Sequence, residues 1–496
     1  MIKVLALKEL LDQLSSPKFV FLFAVSTVLM VFSMYTGTGS YVGARSEFQA
    51  TQRLSRSELE NRRSYNEVSQ FGVKVARAPS ALSGIAGGVS SALGRSARVR
   101  PEVQPELSPA PLADTPVLAV LGELDFNVVA RVFLSLFVLL LTYTAVAGEK
   151  EGGTLKAVLA NPVPRTQFLL GKALGLFGTL MAAVVVPSVL GLLVMKVGFG
   201  VSLTGGEWGR LLAVFFTTVL YLLAIFAMGL LVSTLTSRSA VAFLVLLLVW
   251  VAFVEVIPKA SPMLAGQIRP APSFASLQSE RDRIQAEYQR GIFSGMSRAF
   301  AHVQGAMNTM DDDARQRAQL AIDSTVNRVR DSLGQTRDAK LLRLDENYRN
   351  QQDAMTRLSL LFARLSPAAA MSHAVEVFAG TDFELHRRWR DDLVAYRGQL
   401  EQFLKSKGVQ FGSFRIAFSS TSSSGRGGGT SNTIRIGGPT SEDARLDLAS
   451  LPVFTPRPES FAAAAGRAAP DLVILGFWAA GALLLAFAKF LKYDVR

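Results

Sequence analysis

ATP binding is the first chemistry to test for in this sequence, because Gly171 is followed by Lys172 as in a phosphate-binding loop. Such a loop has the spacing Gly-x-x-x-x-Gly-Lys, and its backbone N–H groups surround the phosphates. Thr166 stands where the first glycine is required, and no other Gly-Lys pair has this spacing. The sequence therefore predicts that this chain binds no nucleotide itself.

The sequence also lacks the patterns of catalytic and metal sites. The histidines His302, His373 and His386 are isolated and do not have the spacing of metal ligands. Without cysteine there is no disulfide, thiol nucleophile or cysteine-ligated zinc. Neither a Gly-x-Ser-x-Gly elbow nor a His-Glu-x-x-His helix occurs, and the many carboxylates alternate with arginines as on solvated helix faces. We expect no catalytic residue, no metal and no cofactor.

The most informative stretch is the segment 148–175, which lies between two long apolar runs. Glu149, Lys150 and Glu151 would each cost about 2.5–3.5 kcal/mol near the centre of a bilayer. This cost favours a loop on one membrane face over a segment that re-enters the bilayer. Gly152 and Gly153 follow, and they free the backbone for a turn.

A short amphipathic helix is expected directly after this turn. Thr154 can cap its first N–H groups, and Pro162 and Pro164 end it before Arg165 opens the next span. Three apolar residues at helical spacing form one of its faces: Leu155, Val158 and Leu159. Because the helix is expected to have no core of its own to cover this face, we expect it to need a groove on a partner.

The runs 148–155, 161–165 and 170–172 resemble the same loop in membrane subunits (permeases) of ABC-2-type ATP-binding-cassette transporters. The resemblance implies that the loop docks into a separate ATPase subunit, which binds the ATP. The contact residues that it implies are Glu149, Glu151, Gly153, Thr154, Leu155, Val158, Leu159, Pro162 and Arg165. An ordinary loop at the membrane interface is the alternative for this segment taken alone.

Two further segments, 365–381 and 492–496, extend the resemblance. They look like a subgroup of these permeases with a large extracytoplasmic insertion before the last span. The resemblance does not cover the long charged region before residue 365 or the Gly/Ser-rich stretch 419–431. These two regions are therefore interpreted from their residues alone.

The composition is that of a membrane protein, since 49% of the 496 residues are hydrophobic and these gather into long uncharged runs. The formal net charge is +13, but the arginines lie along helical segments without an aromatic-interleaved patch. This pattern argues against a nucleic-acid partner. We expect the lipid bilayer to be the surrounding medium instead.

The expected fold class is an all-α polytopic membrane protein with six transmembrane helices, at 17–36, 126–147, 167–195, 210–235, 240–257 and 471–491. Residues 1–16 are expected to form an amphipathic helix in the membrane interface. The first apolar run could also pass for a cleaved signal peptide. Because it is longer than a typical signal-peptide core, an uncleaved anchor is favoured.

Two polar regions are expected outside the membrane. Residues 37–122 are interpreted as a modest region that ends in a proline-rich linker. Residues 258–470 are interpreted as a mainly helical domain with a long helical hairpin and a small β-hairpin, whose strands alternate around Ile416 and Ile434.

The charge distribution predicts the topology. Basic residues of the N-terminal helix, of the loop 148–166, at Arg238 and at the C-terminus fall on one face, which should be cytoplasmic. Lys196 and Arg210 are a mild exception on the other face. We therefore expect both termini in the cytoplasm and the chain in the bacterial inner membrane.

Two charges fall within apolar runs, Arg131 and Glu255. The favoured interpretation of Arg131 is that its side chain snorkels to the interface. The alternative is a buried ion pair between the two residues.

Three functional hypotheses remain open at this point. The first is a transport subunit that pairs with a second copy or a paralogue, each driven by an ATPase, and exports a substrate. The second is a mechanical subunit that uses the same motion to act on an extracytoplasmic protein partner. The third is a membrane-anchored scaffold without an ATPase.

Overall fold

The computed structural model describes residues 2–90, 93–101, 103–108, 124–160, 164–304, 312–409, 415–421, 431–437 and 446–493. In chain order, the elements named below are α1 (Ile2–Leu14), α2 (Pro17–Glu60), α3 (Tyr65–Phe71), β1 (Val73–Ala76), β2 (Ser96–Val99), β3 (Glu106–Leu107), α4 (Phe126–Glu151), α5 (Thr154–Leu159), α6 (Arg165–Gly198), α7 (Gly205–Leu235), α8 (Ser239–Ile268), α9 (Phe274–Gln304), α10 (Asp312–Ala363), α11 (Pro367–Ala379), α12 (Phe383–Ser406), β4 (Arg415–Thr421), β5 (Ser431–Gly437) and α13 (Phe461–Leu491).

Within the described part of the chain, six helices are long and apolar enough to cross a membrane: α2, α4, α6, α7, α8 and α13. This confirms the all-α polytopic fold class. In the most apolar stretch of α7, 61% of the residues are buried, against 17% for α8. Helix α7 therefore lies at the centre of the bundle, whereas most of the α8 surface remains available to lipid or to another protein.

The N-terminal helix α1 packs along one face of α6. A Cβ atom at Gly171 would lie 2.8 Å from Leu5 Cβ, and one at Gly175 would lie 2.7 Å from the carbonyl oxygen of Ala6. Glycine at these two positions thus permits the close approach of α1 to α6. Val4, Leu7 and Leu11 on the opposite side of α1 are exposed, and the location of this helix in the membrane interface stays a prediction.

Helix α2 continues well beyond the end of its apolar run and reaches Glu60. Arg56 and Glu60 form an ion pair one helical turn apart, and Ser55 Oγ donates to the carbonyl of Lys74 in β1 at 2.6 Å. The polar end of α2 is therefore fixed to the polar region that follows it.

The two polar regions share one hydrophobic core. Strands β1, β2 and β3 form an antiparallel sheet in that order, with Val73 opposite Val99. The inward side chains of β1 and β2 pack with α3 and with Trp389 and Leu393 of α12. The sequence analysis predicts 37–122 and 258–470 as separate regions, whereas α12 joins them into one unit, the external unit, named for the side of the membrane on which it is expected. This sheet is not part of the sequence prediction.

Helices α9 and α10 form the expected hairpin. A Cβ atom at Gly291 would lie 2.9 Å from Leu333, and one at Gly295 would lie 2.8 Å from Val329, so the two helices approach closely. The 52 residues of α10 correspond to a length of about 78 Å. The small β-hairpin is confirmed by β4 and β5, which pair antiparallel; most of the Gly/Ser-rich connection, at 422–430, lies outside the described residues.

Candidate functional site: the loop after the second span

A glycine turn separates the end of α4 from the short helix α5. Gly153 has φ +73°, a left-handed conformation that favours glycine. The expectation that Thr154 caps α5 is wrong, because Gly153 is the N-cap residue and Thr154 is already helical. The hydroxyl of Thr154 instead donates to the carbonyl of Glu149 at 3.3 Å.

The apolar face of α5 turns towards the chain's own core. Leu155 is 1% exposed and belongs to the main hydrophobic core, and half-buried Val158 packs against the same core. The expectation that no core covers this face is therefore wrong for Leu155 and in part for Val158. Leu159 ends α5, but its side chain lies outside the described residues, as does Pro162.

Glu149 is tied to the third span and, through it, to the N-terminal helix. Buried Lys172 of α6 forms ion pairs with Glu149 and with Glu9 of α1, the latter at 3.4 Å. The second carboxylate oxygen of Glu149 is buried and has no hydrogen-bond partner in the described part of the chain. Burial strengthens the attraction between the two charges but removes their hydration. A displacement that separates Lys172 from Glu149 would therefore leave two poorly hydrated charges without their counter-charges.

Lys150 and Glu151 fix the loop to the short connection between α7 and α8. Lys150 Nζ donates to the carbonyls of Thr234 at 2.5 Å and Thr236 at 3.1 Å. The carboxylate of Glu151 accepts from the backbone N–H of Ser239 at 2.9 Å and from its hydroxyl. Since Ser239 begins α8, Glu151 places a negative charge at the positive end of that helix dipole.

Ser233 of α7 holds the chain where α4 turns into the loop. Its hydroxyl oxygen accepts from the N–H groups of Val146 at 2.9 Å and Ala147 at 3.0 Å. The same hydroxyl donates to the carbonyl of Tyr143 at 3.0 Å. One buried serine therefore satisfies three backbone groups that the end of the helix leaves open; nothing in the sequence pattern identifies it.

Arg165 connects the far end of the loop to the last helix. Its Nη1 atom donates to the carbonyls of Leu491 and Tyr493, both at 2.8 Å. Lys150 lies 4.8 Å from the centre of the Tyr493 ring. These contacts satisfy the open carbonyls at the end of α13 and attach it to both ends of the loop.

In the described part of the loop, the exposed residues are small or polar. Gly152, Gly153, Thr154, Lys156 and Ala157 are exposed, as is Glu151. This surface lies opposite buried Leu155. A protein that contacts the loop therefore meets the turn and the outer face of α5, whereas Leu155 already packs in the core of the chain.

The predicted intramembrane charges are not paired with each other. Among the described residues, Glu255 pairs with Lys259 at 2.6 Å, and no ion pair joins it to Arg131. The Nε atom of Arg131 is buried and lacks a hydrogen-bond partner among the described residues, but the residue as a whole is half-buried, so the snorkelling interpretation stays a prediction. Both residues lie in π-helical turns, Val129–Leu134 and Val251–Val256, which displace side chains from the regular helical register.

Buried charge pairs that the sequence interpretation missed lie around α11. Asp471 of α13 is fully buried and accepts from Arg364 at 2.8 Å, and its other oxygen lies 2.7 Å from His373 Nδ1. Arg467 pairs with Asp382 and with Glu459. These carboxylates are not on solvated faces, as alternation with arginine had suggested. They attach the external unit to the last span.

These features define a polytopic helical membrane protein whose polar loop is tied to several spans at once. The model of the family described as ABC-2 family transporter protein matches residues 3–495, and the chain belongs to this family. It is thus a multi-pass membrane protein of the ABC-2 permease type, which confirms the resemblance.

Two relatives with descriptive names match parts of the chain. A probable ABC transporter permease protein, NosY, from Pseudomonas aeruginosa is 52% identical over 46 residues, which cover 9% of this chain and 17% of that protein. A probable multidrug ABC transporter permease, YbhS, from Escherichia coli K12 is 33% identical over 100 residues, or 20% of this chain and 24% of that protein. The matched segments therefore span a quarter or less of these relatives.

Proposed function

We propose that this chain is the permease subunit of an ABC exporter and that a separate ATPase subunit binds and hydrolyses the ATP. The loop 148–166 is the contact between the two subunits, and residues Glu149 to Arg165 form and support this contact. The observation that carries the proposal is the set of attachments of this loop to other helices. Glu149 is joined to α6, Lys150 to the end of α7, Glu151 to the start of α8 and Arg165 to the end of α13.

The attachments suggest how a displacement would be transmitted. The ATPase contacts the exposed turn 152–154 and the outer face of α5, while Leu155 carries the motion into the bundle core. Because the loop is bonded to the ends of four spans, these ends move with it. Two permeases, identical or paralogous, each seat one ATPase, and closure of the ATPases on ATP favours a second arrangement of the spans.

Co-purification from membranes tests the docking proposal. Substitution of exposed Lys156 by Glu, or of exposed Ala157 by Trp, should remove the ATPase subunit that co-purifies with the tagged full-length chain. The matched control is Lys196→Glu, which changes another exposed lysine in the same way on the opposite membrane face. Retention of the ATPase by both loop variants would refute docking at this surface. A wild-type preparation that never contains a nucleotide-binding subunit would favour the scaffold hypothesis.

A mechanical role is the second candidate, and the continuity of α8 with the external unit favours it. The far end of α8 packs against α10, and a Cβ atom at Gly266 would lie 3.3 Å from the Met355 side chain. A movement of α8 can therefore reach the long hairpin. If the role is mechanical, deletion of residues 280–360 should abolish function while the ATPase still co-purifies; continued function would exclude it.

A further inference from the structure

A large groove lies in the external unit, between the hairpin α9–α10 and helix α12. Its volume is about 1170 Å³, and residues 103–107 at strand β3 close one side of it. Small-molecule sites typically enclose about 300–1,000 Å³. The groove is therefore large enough for a sizeable small molecule or for one lipid-like molecule.

Five arginines and five carboxylates line this groove, and they are not all paired with one another. Two of its arginines are neutralised by neighbours, because Arg281 pairs with Asp345 at 2.7 Å and Arg337 pairs with Asp338 at 2.8 Å. Three further arginines of the lining form no ion pair among the described residues: Arg349 of α10, and Arg390 and Arg397 of α12.

The carboxylates of the lining do not compensate for these three arginines. Glu401 pairs with Lys405 at 2.6 Å, and Glu106 pairs with Arg100. Asp282, which accepts from Gln278 at 3.3 Å, is the remaining acidic side chain of the lining. Two of the five lining carboxylates are thus paired with cations outside the lining, so Asp282 is the one lining carboxylate without an ion pair to set against these three arginines among the described residues.

Two of the guanidinium groups are also incompletely satisfied. The Nε atoms of Arg390 and Arg397 are buried and have no hydrogen-bond partner among the residues that the structure describes. Burial and the nearby charges of Arg349 and Arg387 lower the pKa of Arg390, against the opposing effect of Asp353 and Asp391. A buried donor without an acceptor destabilises the protein, and an anion in the groove would supply the acceptor.

The rest of the lining is apolar. Leu277 is 6% and Leu393 1% exposed, and Leu341, Leu342 and Val394 are half-buried beside them. Inorganic anions alone would leave this surface in contact with water. A ligand that carries both an acidic group and an apolar body would cover both kinds of surface.

We propose that this groove binds an anionic amphiphile, with its carboxylate or phosphate on Arg349, Arg390 and Arg397 and its apolar body along Leu277, Leu341 and Leu393. Guanidinium groups bind both kinds of acid through paired hydrogen bonds. The site is independent of the proposed ATPase contact, because it involves the external unit alone.

Binding to the full-length protein in nanodiscs of zwitterionic lipid tests the proposal. The probes are dodecyl phosphate and dodecanoate, with dodecyltrimethylammonium as the cationic counterpart and inorganic phosphate as the acid without a chain. The double variant Arg390→Gln/Arg397→Gln should weaken binding of the two anionic probes at least tenfold. The control Arg290→Gln/Arg298→Gln removes the same charge from exposed α9 arginines, whose Nε atoms donate to backbone carbonyls, and should bind as the wild type does.

Arg349→Gln provides a second test if the double variant does not fold. This variant should weaken the binding of the anionic probes and leave the melting temperature of the protein unchanged. Equal binding of the anionic and cationic probes would overturn the proposal. So would a loss of anionic-probe binding in the control Arg290→Gln/Arg298→Gln that equals the loss in Arg390→Gln/Arg397→Gln. Binding of inorganic phosphate as tight as that of dodecyl phosphate would show a simple anion site and refute the amphiphile. None of these outcomes depends on whether an ATPase docks at the loop.

Discussion

Lys172 of the third span and Glu149 of the preceding loop form an ion pair in which the lysine side chain is 8% exposed and the glutamate 24%. Glu9 of the N-terminal helix lies on the same lysine at 3.4 Å. One buried ammonium group thus joins three segments that are distant in sequence. The loop is held by charge as well as by packing.

Replacement of Lys172 by Met should destabilise the protein, because it leaves Glu149 partly buried without its counter-charge. The loss should be about 2–3 kcal/mol, since Glu149 retains some solvent. The double variant Lys172→Met/Glu149→Gln should recover part of this loss, which a double-mutant cycle of thermal melts would measure. The exposed control Lys156→Met should change the melting temperature little. Additive effects of the two changes would contradict the pairing.

Ser233→Ala should be far more costly than a serine-to-alanine change elsewhere in the bundle. It removes the acceptor of two backbone N–H groups, those of Val146 and Ala147, and should cost about 2 kcal/mol or more. Ser188 is the matched control, because it is 2% exposed and its hydroxyl donates only to a carbonyl of its own helix. Equal melting temperatures for Ser233→Ala and Ser188→Ala would show that the Ser233 contacts do not stabilise the loop.

Gly153→Ala should disfavour the turn between α4 and α5 and leave the packing of the spans unchanged. Nothing lies within 4 Å of a Cβ atom at this position, but φ is +73°, so the cost is conformational and about 1 kcal/mol. An approximately fivefold weaker association with the ATPase is expected from this energy. Gly153→Asn should be milder, since asparagine tolerates the left-handed region. A larger effect of Asn than of Ala would argue that the side chain, and not the backbone, disturbs the contact.

The six spans could be predicted because a long uncharged run has few alternatives to a membrane helix. The loop was recognisable for a related reason, since Glu149, Lys150 and Glu151 cannot lie in hydrocarbon. Its short helix was also expected, but the surface that covers Leu155 was not. An apolar stripe indicates that a face is buried and does not say whether the chain itself or a partner buries it.

The external unit was less predictable because its elements are stabilised by contacts that are distant in sequence. Strand β1 has four residues and β3 has two, too few for an alternating pattern to stand out. The inward side chains of β1 share a core with Trp389 of α12, more than 300 residues further along the chain. The buried ion pairs that Asp471 and Asp382 each form with arginine could not be predicted for the same reason. Alternation of charges along a helix does not identify which carboxylates are buried.

His386 predicts a loss of stability in acid. Burial, with the charges of Arg390 and Arg77, lowers the pKa of His386 from 6.5 to about 4. The unfolded chain therefore binds a proton below pH 6.5 that the folded chain does not bind until about pH 4, and stability falls as the pH drops through this window. The loss should approach about 1 kcal/mol per pH unit. His386→Asn should show a flatter dependence of the melting temperature between these pH values, and an unchanged slope would exclude His386 as the cause.

Site-specific labelling can test the orientation on which the docking proposal depends. The sequence has no cysteine, so Lys156→Cys and Arg290→Cys each create a single thiol on a background that does not react. Both positions are exposed, one in the loop helix and one on the external hairpin. A membrane-impermeant maleimide should label Arg290→Cys in intact spheroplasts, and Lys156→Cys only after permeabilisation. Labelling of Lys156→Cys from outside would place the loop on the wrong face for a cytoplasmic ATPase and would end the coupling proposal.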